Sequence, residues 1–154
     1  MLLVSALTGG CGFHLRGQAD IPFTSLYVDG NPGSPLVINL QRIIKAGGHK
    51  DRLAKSADTA ERTIQIMSEV NSKIILSISG AGRVREYQLQ YRVKYRLLDP
   101  KGKEILTPAE IILSRDMSYN DTLVLAKGDE EQLDYRDMQT DAAQQILRRI
   151  ALLH

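Results

Sequence analysis

The sequence is poor in the residues that usually reveal a chemical function. Its 154 residues include no Trp and a single Cys, Cys11. One cysteine excludes an intrachain disulfide and a zinc site built from several cysteines. The net charge is only +2, so the overall charge favours no class of partner. No apolar run reaches the roughly 20 residues that span a bilayer as a helix. The length suits one domain with its own core.

Histidines, glycines and acidic residues also give no catalytic or metal site. His14, His49 and His154 lie in separate segments, without the spacing of metal ligands. Gly80-Ala81-Gly82 joins two predicted strands, which indicates a hairpin turn rather than a phosphate-binding loop. Asp129–Glu131 is typical of a helix N-terminus. With no nucleophile–base pair in the sequence, we expect a protein that is not an enzyme and has no cofactor or metal.

The clearest pattern in the chain is the alternation within Glu86–Leu97. The odd positions are apolar or aromatic: Tyr87, Leu89, Tyr91, Val93, Tyr95 and Leu97. The even positions are polar or charged: Glu86, Gln88, Gln90, Arg92, Lys94 and Arg96. Successive side chains of a strand point to opposite faces. The pattern therefore predicts a strand of an antiparallel sheet, with one buried face and one basic, solvated face.

Three further strands are predicted from alternation and turn residues. They cover Thr24–Asp29, Thr63–Ser79 and Lys103–Ser118. In the second of these the even positions carry the apolar set, Ile64, Ile66, Val70, Ile74, Leu76 and Ile78, which predicts one apolar face. We expect a bulge or break within Ser68–Ser72 and another irregularity at Pro108. The Asp99–Gly102 segment fits a type I turn.

Two helices complete the predicted order. The first has Ser34 as its N-cap and Gly47 as its end. The second begins at Asn120 or Asp121, with a weak point at Gly128, and its apolar stripe is Leu133, Met138, Ala142, Ile146, Ile150 and Leu153. The order βαβββα predicts an α+β two-layer sandwich, in which two helices cover one face of a four-stranded, mostly antiparallel sheet.

The single cysteine follows a short apolar segment. Met1–Leu7 is apolar, and small residues then lead to Cys11. This pattern is typical of a bacterial lipoprotein signal, with Cys11 as the lipidated first residue of the mature chain, although no basic residue precedes the apolar run. The alternative is an ordinary cysteine in a retained N-terminus. In the lipoprotein interpretation, residues 1–10 are the signal remnant, 11–22 a lipidated linker and 23–154 a single α+β domain.

The basic residues gather around the predicted hairpin between the second and third strands. They are Arg83 and Arg85 at the turn, Arg92, Lys94 and Arg96 on the polar face, and Lys127 in the last helix. Two interpretations stay open: a solvated sheet face, or a surface that binds phosphates or carboxylates. A nucleic-acid-binding sheet with stacking tyrosines is the alternative function. The alternation argues against it, because the tyrosines and the positive charges fall on opposite faces.

Several segments, in order along the chain, resemble the LptE family of outer-membrane lipoproteins that act in lipopolysaccharide assembly and transport. They are Cys11–Arg16 (Cys-Gly-Phe-His-Leu-Arg), Glu86–Gln88, Ser114–Arg115, Leu125–Lys127, and Asp141–Ala143 with Ile146. The first segment is the most specific, and the likeness extends over nearly the whole chain.

The resemblance implies a βαβββα domain held at the periplasmic face of the outer membrane by lipid on Cys11. It also implies that the domain pairs with the LptD β-barrel, plugs it and binds lipopolysaccharide through basic residues. One such residue of the family matches Lys127. Gly80 stands at the position of another, with Arg83 and Arg85 close by. We therefore expect lipopolysaccharide at Lys127, Arg83 and Arg85.

Overall fold

The structure, a computed structural model, describes residues 22–46 and 52–153. In chain order it contains β1 (Leu26–Asp29), α1 (Pro35–Ala46), β2 (Arg62–Ile78), β3 (Val84–Leu98), β4 (Glu104–Ser118) and α2 (Val124–Ile150). The strands form one sheet in the order β1-β2-β3-β4, with β1 parallel to β2 and the other pairs antiparallel. The predicted α+β fold is confirmed. Cys11, with its predicted lipidation, and Gly47, the predicted end of α1, lie outside the described residues.

The alternating strand β3 forms the centre of the core. Its odd positions from Leu89 to Leu97 are fully buried. Both helices cover this face with buried residues, namely Leu36, Leu40 and Ile44 from α1 and Met138, Ala142, Ile146 and Ile150 from α2. Tyr87, nearest the hairpin, is half-buried. The predicted buried face of β3 is therefore confirmed.

A β-bulge at Met67 divides β2 into two parts. Before the bulge Ile66 pairs with Tyr95, and after it Ser68 pairs with Lys94, so Met67 is an extra residue relative to β3. One extra residue reverses the face of the side chains that follow, up to the next register shift, which lies between Ile75 and Ser77. The bulge occurs one residue before the segment in which the sequence indicated it.

Beyond the bulge, apolar side chains of β2 lie on the open face, which is the face of the sheet without helices. Val70 pairs with Arg92 and Ile74 with Gln88, and both apolar residues are exposed. The prediction of a single apolar face for the even positions of β2 is therefore wrong beyond Ile66. The bulge is the physical reason, because it changes the parity of the strand.

The open face is also less basic than the alternation predicted. The carboxylate of Glu110 lies 3.9 Å from Arg92 Nε and 3.8 Å from Lys94 Nζ. Arg96 Nη1 lies 2.6 Å from Glu104 Oε1. Acidic residues of β4 therefore compensate the basic residues of β3, and the open face combines ion pairs with exposed apolar side chains.

The bulge places Glu69 between α1 and the centre of the sheet. Glu69 Oε2 accepts hydrogen bonds from Ser34 Oγ and from the Tyr91 hydroxyl, each at 2.9 Å. Ser34 Oγ accepts a hydrogen bond from Leu36 N at 3.1 Å, which confirms Ser34 as the N-cap of α1. Burial and the neighbouring carboxylate raise the pKa of Tyr91 above its ordinary value, so the hydroxyl remains a donor. One carboxylate thus joins the start of α1 to the central strand.

Helix α2 is continuous through Gly128, so the predicted weak point there is wrong. A single 3₁₀ turn, Asp121–Leu123, precedes the helix, and Asn120 caps this turn by accepting a hydrogen bond from Thr122 N at 3.0 Å. Only the second half of α2 enters the core. Leu133, predicted in the apolar stripe, is exposed.

Arg115 of β4 ties α2 to the outer edge of the sheet. Its guanidinium lies 3.4 Å from Asp134, 3.8 Å from Asp137 and 3.8 Å from Asp141. These carboxylates are spaced three and four residues apart, so they share one side of the helix. The contacts give a structural reason for two of the segments that carry the family resemblance, Ser114–Arg115 and Asp141–Ala143.

We expect Tyr91→Phe to lower the free energy of unfolding by about 2 kcal/mol, because it removes a hydrogen bond to a carboxylate. Urea denaturation followed by circular dichroism measures this change. Tyr87→Phe is the matched control, because it lies on the same face of β3 and its hydroxyl has no hydrogen bond within the described residues. Equal destabilisation by the two substitutions would contradict the role assigned to Glu69.

Candidate functional site

The two antiparallel hairpins of the sheet use the same turn. Gly82 N donates to Ser79 O at 2.9 Å, and Gly102 N donates to Asp99 O at 3.0 Å. Both glycines have positive φ, 76° and 78°, which a residue with a side chain rarely adopts. The predicted turn at Asp99–Gly102 is confirmed. The hairpin between β2 and β3 presents two arginines, whereas the one between β3 and β4 presents two lysines.

Arg83 and Arg85 lie at the first of these hairpins and are exposed. Ser77 pairs with Glu86 and Ile78 with Val84, so Arg85 is an extra residue at the base of the hairpin. Its carbonyl accepts a hydrogen bond from Tyr119 N at 2.7 Å, which ties the base to the end of β4. Across the described ranges, no carboxylate lies within ion-pair distance of either guanidinium.

Gly80, which stands at the basic position of the family, is not required by the backbone. Its φ is not positive, and a Cβ atom built on it meets no atom within 4 Å. A larger side chain therefore fits at this position without strain. Gly82, two residues later, has positive φ, so a residue with a side chain would be strained at that position.

Lys127 lies at the same end of the sheet but already has partners. Its Nζ is 2.7 Å from Glu130 Oε2 and 3.4 Å from Ser118 Oγ, and its side chain is 15% exposed. Ser118 is the cross-strand partner of Glu86, next to Arg85. The structure thus brings the three predicted site residues to one end of the molecule. Among residues 22–46 and 52–153, the two arginines have no ion-pair partner, whereas Lys127 forms an ion pair.

We refer to the two arginines, Lys127 and the exposed apolar residues around them as the basic tip. The apolar members are Ile75, Leu76 and Ile78 of β2, Leu123 before α2, and Val124 and Leu125 in its first turn. Leu125 is the most exposed, at 88%. Sequence reasoning missed this set, because Leu76 and Ile78 were placed on the predicted apolar face of β2 and the apolar residues in the first turn of α2 were given no role. A surface with cations beside apolar side chains suits a ligand that is both anionic and apolar.

Lys73 supports the tip from the side covered by the helices, and sequence reasoning missed this residue. Its Nζ lies 2.5 Å from Glu131 Oε2 in α2 and 4.2 Å from the centre of the Tyr87 ring. Tyr87 and Tyr119 form an edge-to-face pair with centroids 5.2 Å apart. These contacts hold the first half of α2, including Lys127, against the sheet.

Neither a metal site nor a membrane-spanning helix occurs in the described part of the chain. Within residues 22–46 and 52–153, no three His, Cys, Asp or Glu side chains come together as metal ligands. Over the same ranges, no helix has both the length and the apolar character needed to cross a bilayer.

The sequence and the fold are similar to those of known lipoproteins. A sequence model of the LptE family, described as lipopolysaccharide-assembly, matches residues 23–150. The LPS-assembly lipoproteins LptE of Pectobacterium atrosepticum and Photorhabdus laumondii are 28% and 25% identical to this chain, over 99% of it and 83% of their own lengths.

Two solved structures also match. A lipoprotein B of Nitrosomonas europaea, described as uncharacterized, is 42% identical with a TM-score of 0.75, over 91% of this chain and 90% of its own. The rare lipoprotein B of Shewanella oneidensis, 24% identical with a TM-score of 0.71, has the same fold over 82% of this chain and 93% of its own. Since the family model spans nearly all of the predicted domain, the family recognised from the sequence segments is confirmed: this chain belongs to the LptE family of lipopolysaccharide-assembly lipoproteins.

Proposed function

We propose that this chain is the lipoprotein subunit that binds and plugs an LptD-type β-barrel and that receives lipopolysaccharide at the basic tip. Lipid on Cys11 anchors it at the periplasmic face of the outer membrane, with residues 11–22 as linker and 23–154 as the folded domain. Transfer of the lipid is driven elsewhere, so the subunit needs no catalytic group. The observation that carries the proposal is a pair of exposed, unpaired arginines beside exposed apolar residues.

Lipopolysaccharide has the chemistry that the basic tip would bind. Its lipid A part carries phosphates, which guanidinium groups bind through paired hydrogen bonds. Arg83 and Arg85 are available for such contacts without losing an ion-pair partner among the described residues. Lys127 joins them when a phosphate replaces Glu130 as the partner of its ammonium group. The apolar residues of the tip are then placed beside the acyl part of the ligand.

The open face of the sheet supports an enclosed position within a barrel. The interior of a large membrane barrel is polar, so a domain inside it must present polar contacts. The ion pairs of Glu110 with Arg92 and Lys94 provide such contacts. Val70 and Ile74, exposed on the same face, offer apolar contacts to a partner surface.

The alternative function, nucleic-acid binding, loses its physical basis in the structure. It requires exposed tyrosines on which bases stack. Tyr91 and Tyr95 are fully buried beneath the helices. Tyr87 is half-buried, with Lys73 over its ring and Tyr119 at its edge.

Reversing the charge of the arginines tests the ligand site. We expect Arg83→Glu combined with Arg85→Glu to weaken lipopolysaccharide binding about tenfold or more, because both phosphate contacts are lost. Surface plasmon resonance with immobilised lipopolysaccharide gives the affinities. Lys101→Glu combined with Lys103→Glu is the matched control, because it makes the same charge change at a hairpin of the same type. If the arginine variant and the lysine variant weaken binding equally, the attraction is a general electrostatic one, and the assignment of a lipopolysaccharide site to Arg83 and Arg85 is wrong.

The ion pair between Lys127 and Glu130 gives a second prediction, in which a substitution strengthens lipopolysaccharide binding instead of weakening it. We expect Glu130→Gln to strengthen lipopolysaccharide binding, because it releases the ammonium group for phosphate. The gain should disappear when Lys127→Gln is also present, which a double-mutant cycle measures. If Glu130→Gln strengthens binding equally with and without Lys127, the gain comes from net charge and Lys127 is not part of the site.

Gly80 allows a test by gain of function. We expect Gly80→Arg to leave the melting temperature unchanged, since the position has room and an ordinary backbone, and to increase the affinity for lipopolysaccharide. Ala57→Arg, at an exposed position in the 3₁₀ turn Ala57–Thr59 between α1 and β2, adds the same charge as a control. A gain of the same size from Ala57→Arg, or none from Gly80→Arg, would count against the basic tip.

A further inference from the structure

A groove lies between the last turns of α2 and the outer edge of β4, at the other end of α2 from the basic tip. Its volume is about 630 Å³, which falls within the range of small-molecule sites. The residues that define its chemistry are Tyr95, Glu110, Ile112, Arg148, Arg149 and Leu152. Apart from Glu110, whose ion pairs belong to the open face, these residues are used neither by the family resemblance nor by the function proposed above.

The hydroxyl of Tyr95 is an unpaired donor at this groove. Tyr95 is fully buried, and its hydroxyl has no hydrogen-bond partner among the described residues. Burial raises the pKa of Tyr95, and the neighbouring Arg149 guanidinium, through its charge and its proximity as a donor to the hydroxyl oxygen, opposes this effect. The hydroxyl therefore stays protonated and needs an acceptor, because a buried polar group without a partner is costly.

The groove has excess positive charge on its α2 side. Arg149 has no carboxylate within ion-pair distance in the described ranges, and Arg148 contacts the neutral amide oxygen of Gln144 at 3.5 Å. On the β4 side, Glu110 is compensated by Arg92 and Lys94 of the open face. An anion would therefore be drawn toward Tyr95 and the two arginines.

Apolar side chains form the rest of the groove. Ile112 is half-exposed, and Leu152 is 76% exposed just beyond the end of α2. An apolar chain attached to the anion would cover both residues and remove their surface from water. A simple inorganic anion would leave them exposed.

We propose that this groove binds a small anionic amphiphile, that is, a phosphate or carboxylate group joined to an apolar chain. The Tyr95 hydroxyl and the Arg149 guanidinium donate to the anion, Arg148 adds charge, and Ile112 and Leu152 contact the chain. The site is independent of the basic tip, so its failure would leave the lipopolysaccharide proposal intact.

The ligand class is tested by titrating the full chain with four probes in isothermal calorimetry: decyl phosphate, decanoate, decanol and inorganic phosphate, all below micelle formation. We expect saturable binding of one or both anionic amphiphiles, with decanol and inorganic phosphate weaker by about tenfold or more. Preference for decyl phosphate or for decanoate identifies the head group. Absence of saturable binding, or equal binding of decanol or of inorganic phosphate, would overturn the proposal.

Three variants test the assigned contacts. We expect Arg149→Gln to weaken binding of the tighter amphiphile about tenfold. Arg136→Gln, which makes the same charge change elsewhere on α2, should not change it. Tyr95→Phe should weaken binding with little change in the melting temperature, because the hydroxyl donates to no acceptor among the described residues. Equal effects of the two arginine variants, or unchanged binding by Tyr95→Phe, would overturn the assignment.

Discussion

The carboxylate of Glu69 holds the helical layer to the sheet in this fold. It accepts hydrogen bonds from the N-cap of α1 and from Tyr91 in the middle of β3, so one side chain fixes the position of a helix relative to the central strand. A carboxylate near a helix N-terminus is further favoured by the helix dipole. Glu69 reaches this position because Met67 is an extra residue in β2. Without the bulge, Glu69 would face away from the helices, and Val70 and Ile74 would face them.

The same bulge shapes the surface of the protein. It moves apolar residues of β2 to the open face, where they lie among the ion pairs of β3 and β4. Toward the hairpin, β2 and β3 extend beyond the part of the sheet that the second half of α2 covers. The basic tip is therefore carried on the ends of β2, β3 and β4, which Lys73, Tyr87 and Tyr119 hold against α2. A site built in this way keeps its position while contributing little to the core.

Much of the fold could be predicted from the sequence, because β3 alternates without interruption and the turns carry their characteristic residues. The exchange of faces in β2 could not be predicted, because the alternation of apolar and polar residues does not reveal where a strand has an extra residue relative to its neighbour. The compensation of the basic residues of β3 by Glu104 and Glu110 of β4 could not be predicted either. It depends on which residues of β4 lie opposite Arg92, Lys94 and Arg96. Between Leu106 and Ala109, near Pro108, β4 has one more residue than the facing part of β3, and this shifts the register of the pairing. At the site, the sequence indicates which basic residues come together. It does not show that Lys127 is paired while the arginines are unpaired, because that depends on side-chain positions in α2.

We propose that the basic tip binds lipopolysaccharide while the rest of the domain binds the barrel. Purification from outer membranes, with both the β-barrel and lipopolysaccharide quantified, tests this directly. For the variant with Arg83→Glu and Arg85→Glu, we expect the barrel at the same stoichiometry as for the unmodified chain, together with a marked loss of lipopolysaccharide. Loss of the barrel along with the lipopolysaccharide, or retention of both, would contradict the claim.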